Sequence, residues 1–242
     1  MSSDIPGIPP LPPPPLPPPP PYGGSPQDGL PWERRAELGF VNAFFETIKV
    51  FITNPAGAWQ QTKEKGDYAE PLIFAILVSW IGIAVSSVWS SLFGQTWTAF
   101  LPPEMKEKLG SAFATNAGVL LIQVGLAPIL VLIGLFIGAA IYHVSFLVVG
   151  ATKDSTSGFE GTFRTVSYAS VSQLANVIPF VGGLVALVWN LVLMVMGAVR
   201  MHRTTQGKAI AGILIPLVLC CVCIAVVAAL VIGGLAAAFW KS

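Results

Sequence analysis

The stretch RTVSYASVSQLANVIPFVGG, Arg164 to Gly183, lies between segments apolar enough for a bilayer. It nevertheless carries Ser167, Tyr168, Ser170, Ser172, Gln173 and Asn176 before breaking at Pro179 and a glycine pair. Whether it crosses a membrane fixes the number of spans and the side on which each terminus lies.

The composition sets the solvent. Of 242 residues, 54% are hydrophobic and 10% charged, against about a quarter charged in soluble proteins. A soluble fold of this length cannot hide that much apolar surface, so a polytopic membrane protein is expected. The formal net charge of +1 offers no concentrated basic surface and argues against nucleic acid. No apolar signal core precedes residue 71, so entry through the first span is expected. Cys220, Cys221 and Cys223 share one late apolar run, which reads as small packing residues rather than a disulfide framework, the alternative being acylation of one near the interface.

Residues 1–31 hold 14 of the 21 prolines. Proline fixes φ and lacks a backbone donor, so this segment reads as a disordered polyproline II tail. Pro19-Pro20-Pro21-Tyr22 matches the PPxY pattern that WW-type modules bind, the alternative being a plain spacer. Residues 32–70 form a cytoplasmic segment. Within it Phe40, Val41, Phe44, Phe45, Ile48, Phe51 and Ile52 fall on one stripe, which predicts an amphipathic helix lying in the membrane interface or packed on the spans. Asn54-Pro55 ends it, and Pro71 opens the first span as a first-turn proline.

The expected fold is an all-α integral membrane protein in which residues 71–240 make five transmembrane helices. These cover about 71–93, 117–149, 165–181, 183–200 and 209–239, with a helical hairpin between the third and fourth. The long second run is expected to kink near Pro128. Distant charges decide the count. With five spans, ten of the 13 Lys and Arg lie on the N-terminal side and three on the other; with four the split is eight to five. The positive-inside rule therefore favours five, with a cytoplasmic N-terminus and the C-terminus opposite. The hairpin motif is Tyr168, Pro179, Gly182 and Gly183, and RTVSYASVSQLANVIPFVGG is a short polar span.

Lipid offers polar side chains no partner. Gln123, His143, Gln173, Asn176 and Asn190 therefore read as an intramembrane polar seam, either gluing helices or lining a path for an ion or small molecule. Gly134 and Gly138 form GxxxG, a helix-packing pattern. No expected span contains Asp, Glu, Lys or Arg. The chain lacks GxSxG, HExxH, Walker and GxGxxG motifs, and its two histidines, His143 and His202, lie in separate segments. No enzyme, metal or cofactor is expected.

Three stretches carry a resemblance: TNPAGAW at Thr53–Trp59, GDYAEPLIFAIL at Gly66–Leu77, and FRTVSYASVSQLANVIPFVGGLVALVWNLVLMVMGAVRMHRTTQGKA at Phe163–Ala209. With five spans after a cytoplasmic segment, the chain resembles the YIP (Ypt/Rab-interacting protein domain) family over about residues 38–239. The resemblance implies a membrane-embedded helical fold and, for eukaryotic members, vesicle traffic and binding of prenylated Rab-type GTPases. Those members carry an Asp-Leu-Tyr-Gly-Pro-like motif before the first span. Here Asp67-Tyr68-Ala69-Glu70-Pro71 keeps Asp67 and Pro71 but not the middle, which favours a prokaryotic-type member; a Rab-type GTPase partner is implied only for a eukaryotic one.

The resulting expectation is a non-enzymatic membrane protein that scaffolds, organises membrane or binds partners, with lipid and protein partners or a homo-oligomer. It is placed in the cell (inner) membrane, or in endomembranes if eukaryotic. The alternatives are a transporter or channel using the polar seam, and an anchor that recruits a proline-binding partner through Pro19, Pro20 and Tyr22.

Overall fold

The computed structural model describes residues 29–98 and 117–240. The proline-rich segment with Pro19, Pro20 and Tyr22 lies outside the described residues. Within them the chain is helical, with no strand. A 3₁₀ turn, Pro31–Arg34, leads into three short helices: α1 (Arg35–Leu38), α2 (Phe40–Thr53) and α3 (Pro55–Gln61). Then follow α4 (Ala69–Thr98), α5 (Ala117–Val148), α6 (Gly158–Ala169), a 3₁₀ segment (Ser170–Val177), α7 (Gly182–His202) and α8 (Gln206–Trp240).

Local chemistry sets these boundaries. Asn54 stops α2 and caps α3, its Oδ1 accepting the Gly57 N–H at 3.0 Å with Pro55 in the first turn. Such a cap satisfies a donor that the helix itself leaves free. Asp67 does the same for α4, accepting the Glu70 N–H at 3.0 Å.

Four helices are long and apolar enough to cross a membrane: Ala69–Phe93, Leu120–Val148, Gly182–His202 and Gln206–Ala229. The expected third span, 165–181, takes a different form. Its helix starts at Gly158, ahead of the expected start at 165 and within the polar stretch ATKDSTSGFEGTFR (151–164) that reads as a loop, and tightens at Ser170 into eight residues of 3₁₀ helix. Serine accounts for part of this, because its hydroxyl competes for backbone groups; Ser170 Oγ donates to the Ser167 carbonyl at 2.6 Å. At 1.5 and 2.0 Å per residue, Gly158–Val177 is about 34 Å long. It is also the most enclosed part of the bundle, with Thr162 to Thr165 and Ser167 to Ser172 all buried. A helix screened by its neighbours does not need an apolar surface.

The start of the chain also departs from expectation. Leu30, Pro31, Trp32 and Glu33 are buried, so the boundary drawn at residue 31 cuts through packed structure. Trp32 lies against Phe44 and Phe74 at ring-centroid distances of 6.0 and 5.8 Å, and its Nε1 donates to the Glu70 carbonyl at 2.7 Å. Helix α2 turns Ala43, Phe44, Thr47 and Phe51 into the bundle and leaves Phe40, Val41, Phe45 and Ile52 exposed. The apolar stripe is thus divided between two surfaces.

Two further expectations change. A Cβ on Gly134 or Gly138 would meet nothing within 4 Å. This GxxxG therefore faces outward from α5, and among the described residues no other helix packs against it. The three cysteines are exposed on α8 rather than packed.

The hairpin bend is tight. Phe180 holds φ at 65°, a region few side chains adopt, and its ring packs on Phe93 at 4.9 Å. A Cβ on Gly182 would run into the Ala175 carbonyl and sit 2.9 Å from Asn176 Cα, whereas one on Gly183 would find Asn176 Oδ1 at 3.9 Å. Gly182→Ala is therefore expected to cost about 1–3 kcal/mol through overpacking against backbone, and Gly183→Ala little. Thermal unfolding of the two purified variants should separate them clearly; equal midpoints would contradict the close approach.

Candidate functional site

The densest polar chemistry is a buried ion-pair cluster at the end of the bundle that holds the N-terminal segment. Helix α6 places Glu160, Arg164 and Tyr168 at i, i+4 and i+8, on one face. Arg164 uses all three guanidinium nitrogens. Nε donates to Glu160 Oε1 at 3.0 Å, Nη1 to Glu33 Oε1 at 2.7 Å, and Nη2 to the Asp67 carbonyl at 2.9 Å. The side chains of Arg164 and Glu33 are both 0% exposed. Glu33 Oε1 also accepts the Tyr168 hydroxyl at 3.1 Å, while Oε2 accepts the Leu30 and Lys63 backbone N–H groups at 2.9 and 3.1 Å.

Four donors thus converge on one carboxylate from three parts of the chain. Burial pushes the Glu33 carboxyl up from its ordinary value; the two N–H groups, the guanidinium and the tyrosine hydroxyl pull it back. Burial is the largest of these influences, and against it the donors favour the ionised form, since a carboxylate accepts at both oxygens. The motif residues before the first span now have roles. Asp67 caps α4 with its side chain and takes Arg164 on its carbonyl, and Pro71 is buried in the first turn.

Glu64 anchors the neighbouring edge. It accepts Arg200 Nη1 at 2.6 Å, Arg203 Nη2 at 3.0 Å and the Thr156 hydroxyl at 2.9 Å. The bond from Arg200 is the main reason its carboxyl is held down at about 2. Glu64 therefore joins the loop before α4 to the end of α7 and to the α5–α6 loop.

The sequence-derived seam divides into separate groups. Asn176 Nδ2 donates to Gln173 Oε1 at 2.9 Å. Asn190 Nδ2 reaches the Ala169 carbonyl and Ser172 Oγ, each at 3.2 Å. His143 lies elsewhere, with Nδ1 2.8 Å from Thr162 Oγ1, which is 2.9 Å from His202 Nε2. His202 Nδ1 in turn meets Ser155 Oγ at 2.9 Å. The fold therefore brings together, at 6.2 Å between ring centroids, two histidines that the sequence places in separate segments. Gln123 is exposed on α5. Tyr168, assigned to the hairpin, belongs to the ion-pair cluster.

Glu33, Glu160 and Arg164 went unrecognised as a site, although the i, i+4 spacing of Glu160 and Arg164 is visible in the sequence. No such signal links Glu33 to Arg164 across 131 positions. Among the described residues no group of three or more His, Cys, Asp or Glu could hold a metal.

Four apolar membrane-length helices, enclosing a polar one that is pinned by a buried ion pair, define an integral membrane protein of all-helical type. The Yip1 domain matches residues 48–239, and the chain belongs to that family. No curated protein and no solved structure matches the chain.

Two predictions follow from the cluster's geometry. Arg164→Ala leaves Glu33 buried without its counter-ion, a change that costs about 3–5 kcal/mol. Arg164→Lys should recover little, because an ammonium cannot serve three acceptors in a planar fork; chemical unfolding in detergent measures both. The second concerns pH. A carboxyl held near 2 when folded, against ~4.3 when free, stabilises the fold above the unfolded value and loses that contribution as pH falls toward 2. Glu64→Gln should flatten the stability profile of the folded chain between about pH 4.5 and 2, and an unchanged acid slope would contradict the role given to Glu64.

Proposed function

We propose that this Yip1-family protein is a non-enzymatic membrane organiser that binds protein partners through the platform built by residues 30–70. One observation carries the reading: α2 has two apolar faces, one in the bundle and one carrying exposed Phe40, Val41, Phe45 and Ile52. The open face suits the bilayer interface, where aromatic and aliphatic side chains insert beside charged neighbours. The basic residues of this end of the bundle, including Arg35, Lys49, Arg200 and Arg203, suit the cytoplasmic leaflet and support a cytoplasmic N-terminus.

The fold fits five crossings, with Gly158–Val177 as the third. Its length of about 34 Å matches a hydrocarbon core of ~30 Å, and its polar groups have protein partners, as lipid requires. The Gln173–Asn176 contact is a link within the 3₁₀ segment, and the Asn190–Ser172 contact ties that segment to α7. They favour packing over a continuous ion path, so the transporter reading has less support. The architecture suits the cell (inner) membrane, or an endomembrane with a Rab-type GTPase partner in a eukaryotic setting, and homo-oligomers or other protein partners.

Cross-linking in native membranes is expected to recover protein partners with the full chain and to lose them when the exposed face of α2 is made polar (Phe45→Ser with Ile52→Ser). Tags on the two termini should label from opposite sides of the same vesicles. A solitary monomer in membranes would sink the partner-binding reading, and same-side labelling would sink the five-span topology.

A further inference from the structure

The Leu30–Glu33 strap lies in its groove as a bound peptide lies on a receptor. Trp32 is the anchor. It is fully buried, with its indole N–H on the Glu70 carbonyl, its backbone N–H on Thr47 Oγ1 at 2.8 Å, and its ring against Phe44 and Phe74. Glu33 is the charged determinant. Three of its four donors, from Arg164, Tyr168 and the Lys63 backbone, belong to the groove; the strap contributes only the Leu30 N–H. A buried aromatic anchor beside a desolvated Arg–carboxylate pair is the composition of an interface hot spot.

Two observations separate strap from groove. Arg164, Tyr168, Lys63, Glu70 and Phe74 lie inside residues 48–239, which match the Yip1 domain, while the strap lies before them, as do the groove residues Phe44 and Thr47 of α2. The strap and α1 join α2 through Gly39, whose φ is +79° and around which a Cβ would meet nothing within 4 Å. That glycine is a swivel with free space, whereas the groove is fixed by helices α2, α4 and α6.

We propose that this groove is a peptide-recognition site for a segment carrying tryptophan followed directly by glutamate, and that Leu30–Glu33 is its resident ligand, held in cis. A segment of the same chemistry from a partner protein binds when the strap leaves. This rests on the partner-binding reading above and adds to the exposed face of α2 a second contact, on its buried face. Tethering gives the strap an effective concentration of about millimolar, so a free peptide competes poorly with it in the unmodified chain.

The probe is a fluorescein-labelled LPWERRAEL peptide, titrated by anisotropy into the full-length chain in nanodiscs. The unmodified chain is expected to bind weakly. The double variant Trp32→Ala, Glu33→Gln, with its groove vacated, should bind at least tenfold more tightly. Adding Tyr168→Phe should weaken that binding several-fold, and a peptide with glutamine in place of the first glutamate should bind at least tenfold less well. Equal binding by vacated and unmodified chains, or no preference for glutamate, overturns the proposal.

If the double variant does not fold, hydrogen exchange on the unmodified chain decides. Amides of Leu30, Trp32 and Glu33 should open together, and at least tenfold more often than those of α6. Exchange of the strap only through global unfolding overturns the proposal. A chain that binds the peptide but has no partner in membranes keeps the groove as a site and sinks the function proposed above. Partners without peptide binding do the reverse.

Discussion

The buried contact between Glu33 and Arg164 constrains everything around it. An arginine with no exposed side-chain surface must have its charge balanced and its donors spent, because an uncompensated buried charge is among the most destabilising features a fold can hold. Glu160 on the same helix serves one nitrogen. The other two reach the strap and the turn before α4, so both must lie against α6. Trp32 is thereby seated over Phe44 and Phe74, and the short helices become part of the bundle. Ion pairs of this kind add little net stability over well-packed apolar groups. What this one supplies is position, since few other arrangements satisfy all three nitrogens.

Much of the architecture could be read from the sequence because lipid imposes simple rules. Apolar runs of membrane length located α4, α5, α7 and α8 to within a few residues at most of their ends, and the Asn54-Pro55 stop and the first-turn Pro71 fell at real helix boundaries. The failures share a cause. Gly158–Arg164 reads as loop because it is polar, and polarity excludes a helix only where the helix faces lipid. The seam was assembled from residue type alone, but two amides at similar depth meet only if their faces are turned toward each other. His143 and His202 met through Thr162, a residue with no distinguishing sequence signal. Glu33 lay outside any periodic pattern, and a contact across 131 positions leaves no local trace.

Membership of the Yip1 family places the chain among membrane proteins built from several apolar helices, and the packing shows how such a bundle accommodates polar residues. Large lipid-facing side chains cover α5 and α8, whereas α6 and its 3₁₀ extension hold serines, threonines, an arginine and a tyrosine in the interior. Close backbone approaches bring the layers together. At Gly82, α4 comes so near the 3₁₀ segment that a Cβ would lie 2.8 Å from the Gln173 carbonyl, and at Gly197 the ring of Trp59 fills the space beside α7. Glycine at these two points is what lets the polar helix be enclosed.

That enclosure bears on how the protein enters its membrane. A segment with Arg164, several hydroxyls and two amides partitions poorly into lipid by itself, since charged and amide side chains oppose insertion. If Gly158–Val177 crosses, it does so in company, joined by the bend at Phe180 to the strongly apolar α7 and received by α4. Biogenesis of the bundle is then cooperative at its middle. The two central helices integrate as one unit, and the order in which helices leave the insertion machinery matters as much as the hydropathy of any one of them.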